Sequence, residues 1–150
     1  MIDMAVVEDV KEISDLLWDA ANTDMKFYID GDYDHGSKMI RVFIESDNGV
    51  VLVAREQETI VGVLIGFVTT HWYKDEMYGN TICLYVDKEH RNRRYGLELI
   101  DMFERYCAEV GCAETIIGVT ASDYANTFRR LLGRKGYEVQ HMGYHKQCHR

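Results

Sequence analysis

The chain has 150 residues, 47% of them hydrophobic and 28% charged, and a formal net charge of -8. That length suits one domain, 1–150, with a proper core and is short for two. The acidic balance argues against general nucleic-acid binding, which wants a dispersed positive surface. The longest apolar runs, such as Ile60 to Val68, hold about nine residues, against the roughly 18 that a membrane-spanning helix needs.

The opening Met-Ile-Asp-Met-Ala lacks a basic segment followed by an apolar stretch, so a soluble cytoplasmic protein is expected. Cys83, Cys107, Cys112 and Cys148 show no CxxC spacing and read as reduced thiols. Proline is absent, which leaves glycine, asparagine and aspartate to punctuate the chain.

Ile2 to Val7 reads as a strand, and Val10, Ile13, Leu16 and Leu17 with Ala20 and Ala21 as one face of a helix. Asn22 to Gly36 is polar, acidic and aromatic. Ser37 can cap a second helix with Ile40, Phe43 and Ile44 on one side, ended by Gly49. Val50 to Ala54 and Ile60 to Thr70 are strands joined through the polar loop Arg55 to Thr59, and Thr81 to Val86 is the next strand. Leu97, Ile100, Phe103, Tyr106 and Val110 mark a third helix with Gly111 as its C-cap, and Thr115 to Thr120 a further strand. Ser122 or Asp123 can cap a last helix carrying Phe128, Leu131 and Leu132, closed by Gly136, before one or two strands in Tyr137 to His145. The strand, helix, strand succession from Thr81 to Thr120 predicts a parallel pair within a mixed sheet.

Between that strand and that helix lies Asp87-Lys88-Glu89-His90-Arg91-Asn92-Arg93-Arg94-Tyr95-Gly96, a basic turn in an acidic chain. The first amides of a helix have no intrahelical acceptor and carry the positive end of the macrodipole, so the turn predicts an anion site. Arginines there add charge-assisted contacts. It falls at the carboxyl end of a strand, where ligands bind in sheets of this kind. A plain solvated basic turn is the alternative.

The element order, with Arg91-Asn92-Arg93-Arg94-Tyr95-Gly96 and the following Leu99-Ile100, resembles the GCN5-related N-acetyltransferase (GNAT) family. That family's signature is Gln or Arg, two residues, Gly, any residue, then Gly or Ala. Arg94 stands where the first glycine belongs. The resemblance implies an α/β (α+β) fold with a mixed, mostly antiparallel sheet of six or seven strands, about four flanking helices, and a parallel splay between the fourth and fifth strands.

The resemblance further implies acetyl-CoA as cosubstrate, with no metal. Leu84, Tyr85 and Val86 would pair with the pantetheine arm, and Arg91, Asn92, Arg93, Arg94, Tyr95, Gly96 and Leu97 would hold the pyrophosphate. Arg94 can offer its amide if the turn needs no positive φ there. The helix around Asn126 and the Gly136-Tyr137 turn look like the family's second coenzyme A element. The family's usual proton-donating tyrosine, four residues before that glycine, is here Leu132; Tyr124, two helical turns earlier, is a candidate, and a packed aromatic is its other reading.

The family's glutamate base falls on Asn80, an amide that cannot take a proton, which leaves His71, Asp75 and Glu76 nearby. Asp30-Gly31-Asp32-Tyr33-Asp34 suggests a calcium loop but has His35 and Arg41 where glycine and glutamate are required. An acidic loop that draws in an amine, or a merely solvated loop, fits better. His141, His145 and His149, with Cys148, sit on a strand and tail where their spacing does not converge on a metal.

The expected function is acetyl transfer from acetyl-CoA to a primary amine, on a small molecule or a peptide, by direct attack in a ternary complex. The alternative is a non-catalytic domain of the same fold that binds coenzyme A or a protein. Nucleic-acid and membrane partners are not expected; domains of this kind often pair through their C-terminal strands, which leaves a homodimer open.

Overall fold

The computed structural model describes residues 1–23, 31–91, 93–119, 125–144 and 146–148. Strands β1 (Ile2–Met4), β2 (Gly49–Glu56), β3 (Thr59–Thr70), β4 (Met77–Val86) and β5 (Glu114–Ile116) form one sheet in the order β1-β2-β3-β4-β5. Neighbours run antiparallel except β4 and β5, which are parallel as predicted. Helices α1 (Val10–Thr23), α2 (Tyr33–Glu45), α3 (Tyr95–Glu109) and α4 (Ala125–Arg134) complete the mixed α/β fold. The described residues gather into two compact units, Met1–Gly118 and Val119–Arg150.

Five strands are present among the described residues rather than six or seven. The segment 137–144 carries no strand, and its Val139, Met142 and Tyr144 are largely exposed. With so little apolar surface buried, that segment has no face to hold a hairpin against a core. The β2–β3 connection is also tighter than expected. Glu56 pairs with Thr59, and Gln57 and Glu58 turn the corner at φ 49° and 71°. That is the doubly left-handed two-residue turn whose twist matches a hairpin. Helix α2 starts four residues before Ser37, because the Asp32 carboxylate accepts the His35 amide at 2.9 Å and caps it there. It ends at Glu45, so Gly49 opens β2 instead of closing the helix.

Strands β2 and β3 are buried along nearly their whole length because both faces are covered. On one face, Ile13, Ala20 and Ile40 from α1 and α2 pack on Val51, Val53, Val63 and Ile65. On the other, Leu99, Phe103 and Cys107 of α3 pack on Val50, Leu52, Leu64 and Val68. Two glycines let α3 come close. A methyl group at Gly66 would lie 3.1 Å from the Phe103 ring, and one at Gly79 would collide with Cys107 Sγ. Helix α3 ends in a Schellman turn at Gly111, φ 91°, with Cys112 N–H donating to Cys107 O and Gly111 N–H to Ala108 O. In the second unit α4 ends identically: Tyr137 N–H donates to Leu132 O and Gly136 N–H to Gly133 O. Both glycines were legible as helix stops.

At the start of the chain Asp9 joins local to distant structure. Its Oδ2 accepts the Val6 amide at 2.9 Å and the Arg55 guanidinium of β2 at 2.8 Å. Burial alone would push the Asp9 carboxyl upward, but the Arg55 hydrogen bond, the Val6 amide and the Arg55 charge outweigh it and hold the group below its ordinary value of 3.8. A depressed folded value means that the contribution to stability is present above 3.8 and is lost as the pH falls through the folded value. Urea midpoints measured from neutral pH down through that range should drop less steeply for Asp9→Asn than for the wild-type chain. At the α3 face, Gly79→Ala should lower stability by about 1 to 3 kcal/mol, read from the same unfolding curves, because the packed ring and thiol must give way.

Candidate functional site

Strand β4 is shared unequally. It pairs with β3 along its whole length, whereas β5 pairs only with Tyr78, Gly79 and Asn80. The Gly118 amide then bonds to the Thr81 hydroxyl at 3.0 Å, and beyond it no described strand covers that side. Ile82 is an extra residue in the β3–β4 register, a bulge that turns its half-exposed side chain outward. The Asp87 amide bonds Val61 O on β3 at 2.8 Å. By strand alternation Tyr85 and Cys83 face β3 as well, and the backbone groups of Leu84 and Val86 point to the uncovered edge. Arg91 Nε bonds the Val86 carbonyl at 2.9 Å, as that alternation requires. The Leu84 amide is therefore turned outward, and the Tyr85 amide is taken up by the sheet.

The edge runs straight into the basic turn, whose side chains are mostly committed to the protein. His90 bridges Asp87 and Glu56, each at 2.8 Å, and Arg93 pairs with the same Glu56 at the end of β2. The Arg91 guanidinium also lies 5.4 Å from the centre of the Tyr85 ring. Asn92 lies outside the described residues. Arg94 is the N-cap of α3, exposed, at φ 65° and ψ 0°. The turn thus does need a left-handed residue there, contrary to the condition under which an arginine would substitute freely for glycine. A Cβ in that region crowds the following carbonyl. No side chain caps α3, and the amides of Tyr95, Gly96 and Leu97 have no acceptor among the described residues. A methyl at Gly96 would come no closer than 3.8 Å to Val86. The arrangement is a free helix N-terminus beside an open strand edge, suited to an anionic group that continues into an amide-bearing chain.

On the α1/α2 side of the sheet a cavity of about 290 Å³ reaches Ile65, Ile82 and Cys83. Leu17, Trp18, Met39 and Phe43 form much of its wall. Tyr33 donates to Asp15 at 2.6 Å and meets Trp18 edge to face, with ring centres 5.8 Å apart. The Asp15 hydrogen bond keeps the Tyr33 hydroxyl protonated beyond its usual range. Desolvation pushes the Cys83 thiol up to about 12, so it is no thiolate nucleophile. None of this wall was legible as a site, because Leu17 and Phe43 carry the same periodicity as core residues. Gly36, inside α2 and without a turn to make, was the available signal.

The remaining candidates fall elsewhere. His71 stacks on Tyr78 with ring centres 4.2 Å apart and pairs with Glu114 at 2.5 Å; Glu76 pairs with Lys74 at 2.8 Å. These groups, with exposed Asp75, sit at the opposite end of β4 from Leu84, about 23 Å from it at 3.3 Å per residue from Met77. Asp32 is the α2 cap and Asp34 lies in its first turn, so Asp32 to Asp34 is helix rather than an acidic loop; Asp30 lies outside the described residues. So do Tyr124, His145 and His149. Asn126 is exposed on the first turn of α4 in the second unit, and Leu132 there is buried. No group of three His, Cys, Asp or Glu side chains among the described residues is arranged to hold a metal ion, and no described helix is long and apolar enough to cross a membrane. Because Arg94 is strained, Arg94→Gly should stabilise the protein by about 1 kcal/mol, measured by urea unfolding.

No curated protein matches the sequence significantly. Solved structures do share the fold. A ribosomal-protein-alanine N-acetyltransferase from Brucella melitensis biovar Abortus 2308 has a TM-score of 0.76 at 16% identity, covering 99% of this chain and 98% of that one. An aminoglycoside acetyltransferase from an uncultured soil metagenomic sample, in complex with sisomicin, has 0.75 at 21%, covering 99% and 96%. A transcriptional regulator from Bacillus halodurans C-125 has 0.82 at 18%, covering 99% of both. Residues 10–134 match the description "Acetyltransferase (GNAT) family", and they include the open strand edge, the basic turn and α3. The chain belongs to the acetyltransferase (GNAT) family.

Proposed function

We propose that the protein transfers an acetyl group from acetyl-CoA to a primary amine by direct attack in a ternary complex. The observation that carries this reading is the continuity of Leu84 to Leu97, an uncovered strand edge leading into a free helix N-terminus. The outward backbone of Leu84 and the outward N–H of Val86 are suited to the pantetheine amides, and the amides of Arg94, Tyr95, Gly96 and Leu97 to the pyrophosphate. Arg91 acts as a positioning residue: by holding the Val86 carbonyl it fixes the junction of edge and turn. Arg93 and His90 tie that turn to Glu56. Tyr124 is the candidate proton donor to the departing sulfur, in place of the tyrosine that the family has at the position of Leu132, and Asn126 is a coenzyme contact.

In the reaction the lone pair of a neutral amine attacks the thioester carbonyl carbon. The C–N bond forms, the C–S bond breaks, the nitrogen loses a proton and the sulfur gains one. The Leu84 amide donates to the carbonyl oxygen as it gains charge in this reading, a contribution of roughly 3 kcal/mol for one preorganised donor. Cys83, held neutral, takes no part, so no covalent enzyme intermediate is needed. The second reading, a coenzyme A binder without turnover, is favoured by the strained arginine at position 94.

Coenzyme A should raise the melting temperature, and acetyl-CoA with an accepted amine should release free thiol in proportion to the amine. Stabilisation without amine-dependent release would establish the second reading; neither effect would overturn both. Gly96→Glu separates fold from binding. A carboxylate in the first turn of α3 favours the helix dipole, so stability should hold, whereas calorimetry should show coenzyme A affinity about tenfold weaker or worse through repulsion of the pyrophosphate.

A further inference from the structure

Resting on the acetyl-transfer reading, we infer that the acceptor is an amphipathic monoamine with a flat apolar body, of the arylalkylamine type, and not a polyamine or an aminoglycoside. The cavity between α1, α2 and the bulge of β4 is its site. Its volume of about 290 Å³ lies at the lower limit of roughly 300 to 1,000 Å³ for small-molecule sites, which fits one ring system and a short chain. The end formed by Ile82 and Cys83 adjoins Leu84 in the chain, so the amine belongs there and the apolar body among Leu17, Trp18, Met39 and Phe43.

Among the described residues, the polar groups of the wall decide against a polar ligand, because the protein already uses them. Ser37 donates to Ser14 at 2.7 Å, and Ser14 donates to the Val10 carbonyl at 2.7 Å. Tyr33 donates to Asp15, and Asp32 accepts the His35 amide. Cys83 stays an uncharged thiol. A ligand with many ammonium or hydroxyl groups would leave donors unpaired against aliphatic and aromatic walls. The perpendicular Trp18 and Tyr33 rings, at 86°, form a corner with both a face and an edge to offer a third ring.

Gly36 makes the assignment testable. It lies in α2 and lines the cavity, and a methyl group there would meet no atom within 4 Å. Leucine also has the higher helix propensity, so Gly36→Leu should fill the cavity without unfolding the protein. Calorimetry on the full chain saturated with coenzyme A should show 2-phenylethylamine binding about tenfold or more tighter than spermidine or kanamycin. In Gly36→Leu that binding should weaken by about tenfold or more, with coenzyme A affinity and melting temperature not reduced. Equal or tighter binding of spermidine or kanamycin, or 2-phenylethylamine affinity unchanged in Gly36→Leu, would overturn the inference. If 2-phenylethylamine binds as expected but acetyl-CoA releases no thiol, the cavity assignment stands and the acetyl-transfer reading fails. Thiol release with spermidine and none with 2-phenylethylamine would overturn the inference and leave acetyl transfer standing.

Discussion

Strand β4 has hydrogen-bonded company along its whole length on one side and for three residues on the other, and the rest of the site depends on that inequality. Backbone amides and carbonyls are obligatory hydrogen-bonding groups, so a strand half released from its neighbour presents groups that no described strand takes up. The bulge at Ile82 follows at once where β5 ends. It sets the alternation that turns Leu84 and Val86, rather than Tyr85, to the open edge. It also directs Ile82 into the wall of the cavity on the α1/α2 side. One irregularity therefore relates the open strand edge to the cavity.

Packing on the opposite face keeps that geometry rigid. Phe103 and Cys107 reach the sheet because Gly66 and Gly79 have no side chains to prevent it. Helix α3 is thereby pressed close to β3 and β4, and its N-terminus is delivered to the end of the edge. Beyond that end the charges are arranged differently from a simple basic patch. Glu56 holds both His90 and Arg93, and Arg91 is bonded to the Val86 carbonyl, so the arginines brace the turn. The α3 terminus itself carries no side-chain cap.

Much of this was legible along the chain. The order of elements followed from period-two and period-3.6 patterns, and the helix stops at Gly111 and Gly136 from the need for a left-handed residue in a Schellman turn. The basic turn stood out because three arginines interrupt an acidic sequence between a strand and a helix. What failed to read through had identifiable physical causes. Asp32 replaced Ser37 as a cap because several polar residues precede α2 and only folded geometry selects the one whose oxygen meets the third amide. The segment 137–144 carried apolar residues but, among the described residues, little burial to make strands of them. His71, Asp75 and Glu76 were near Leu84 in sequence but lie at the far end of β4 from it, since a strand separates residues faster than any other element.

By itself the sequence determined the family, the parallel pair, the basic turn between strand and helix and the absence of glycine at position 94, because each is written in local residue type and spacing. Tertiary structure decided which strand amide is free, that Arg94 occupies a left-handed conformation, which acid neutralises the turn, and where the apolar cavity lies. Those properties arise from register, from the end of β5, and from side chains on α1, α2 and β4 that meet only after folding. Core and cavity wall use the same hydrophobic residues, and only packing distinguishes a filled space from an empty one.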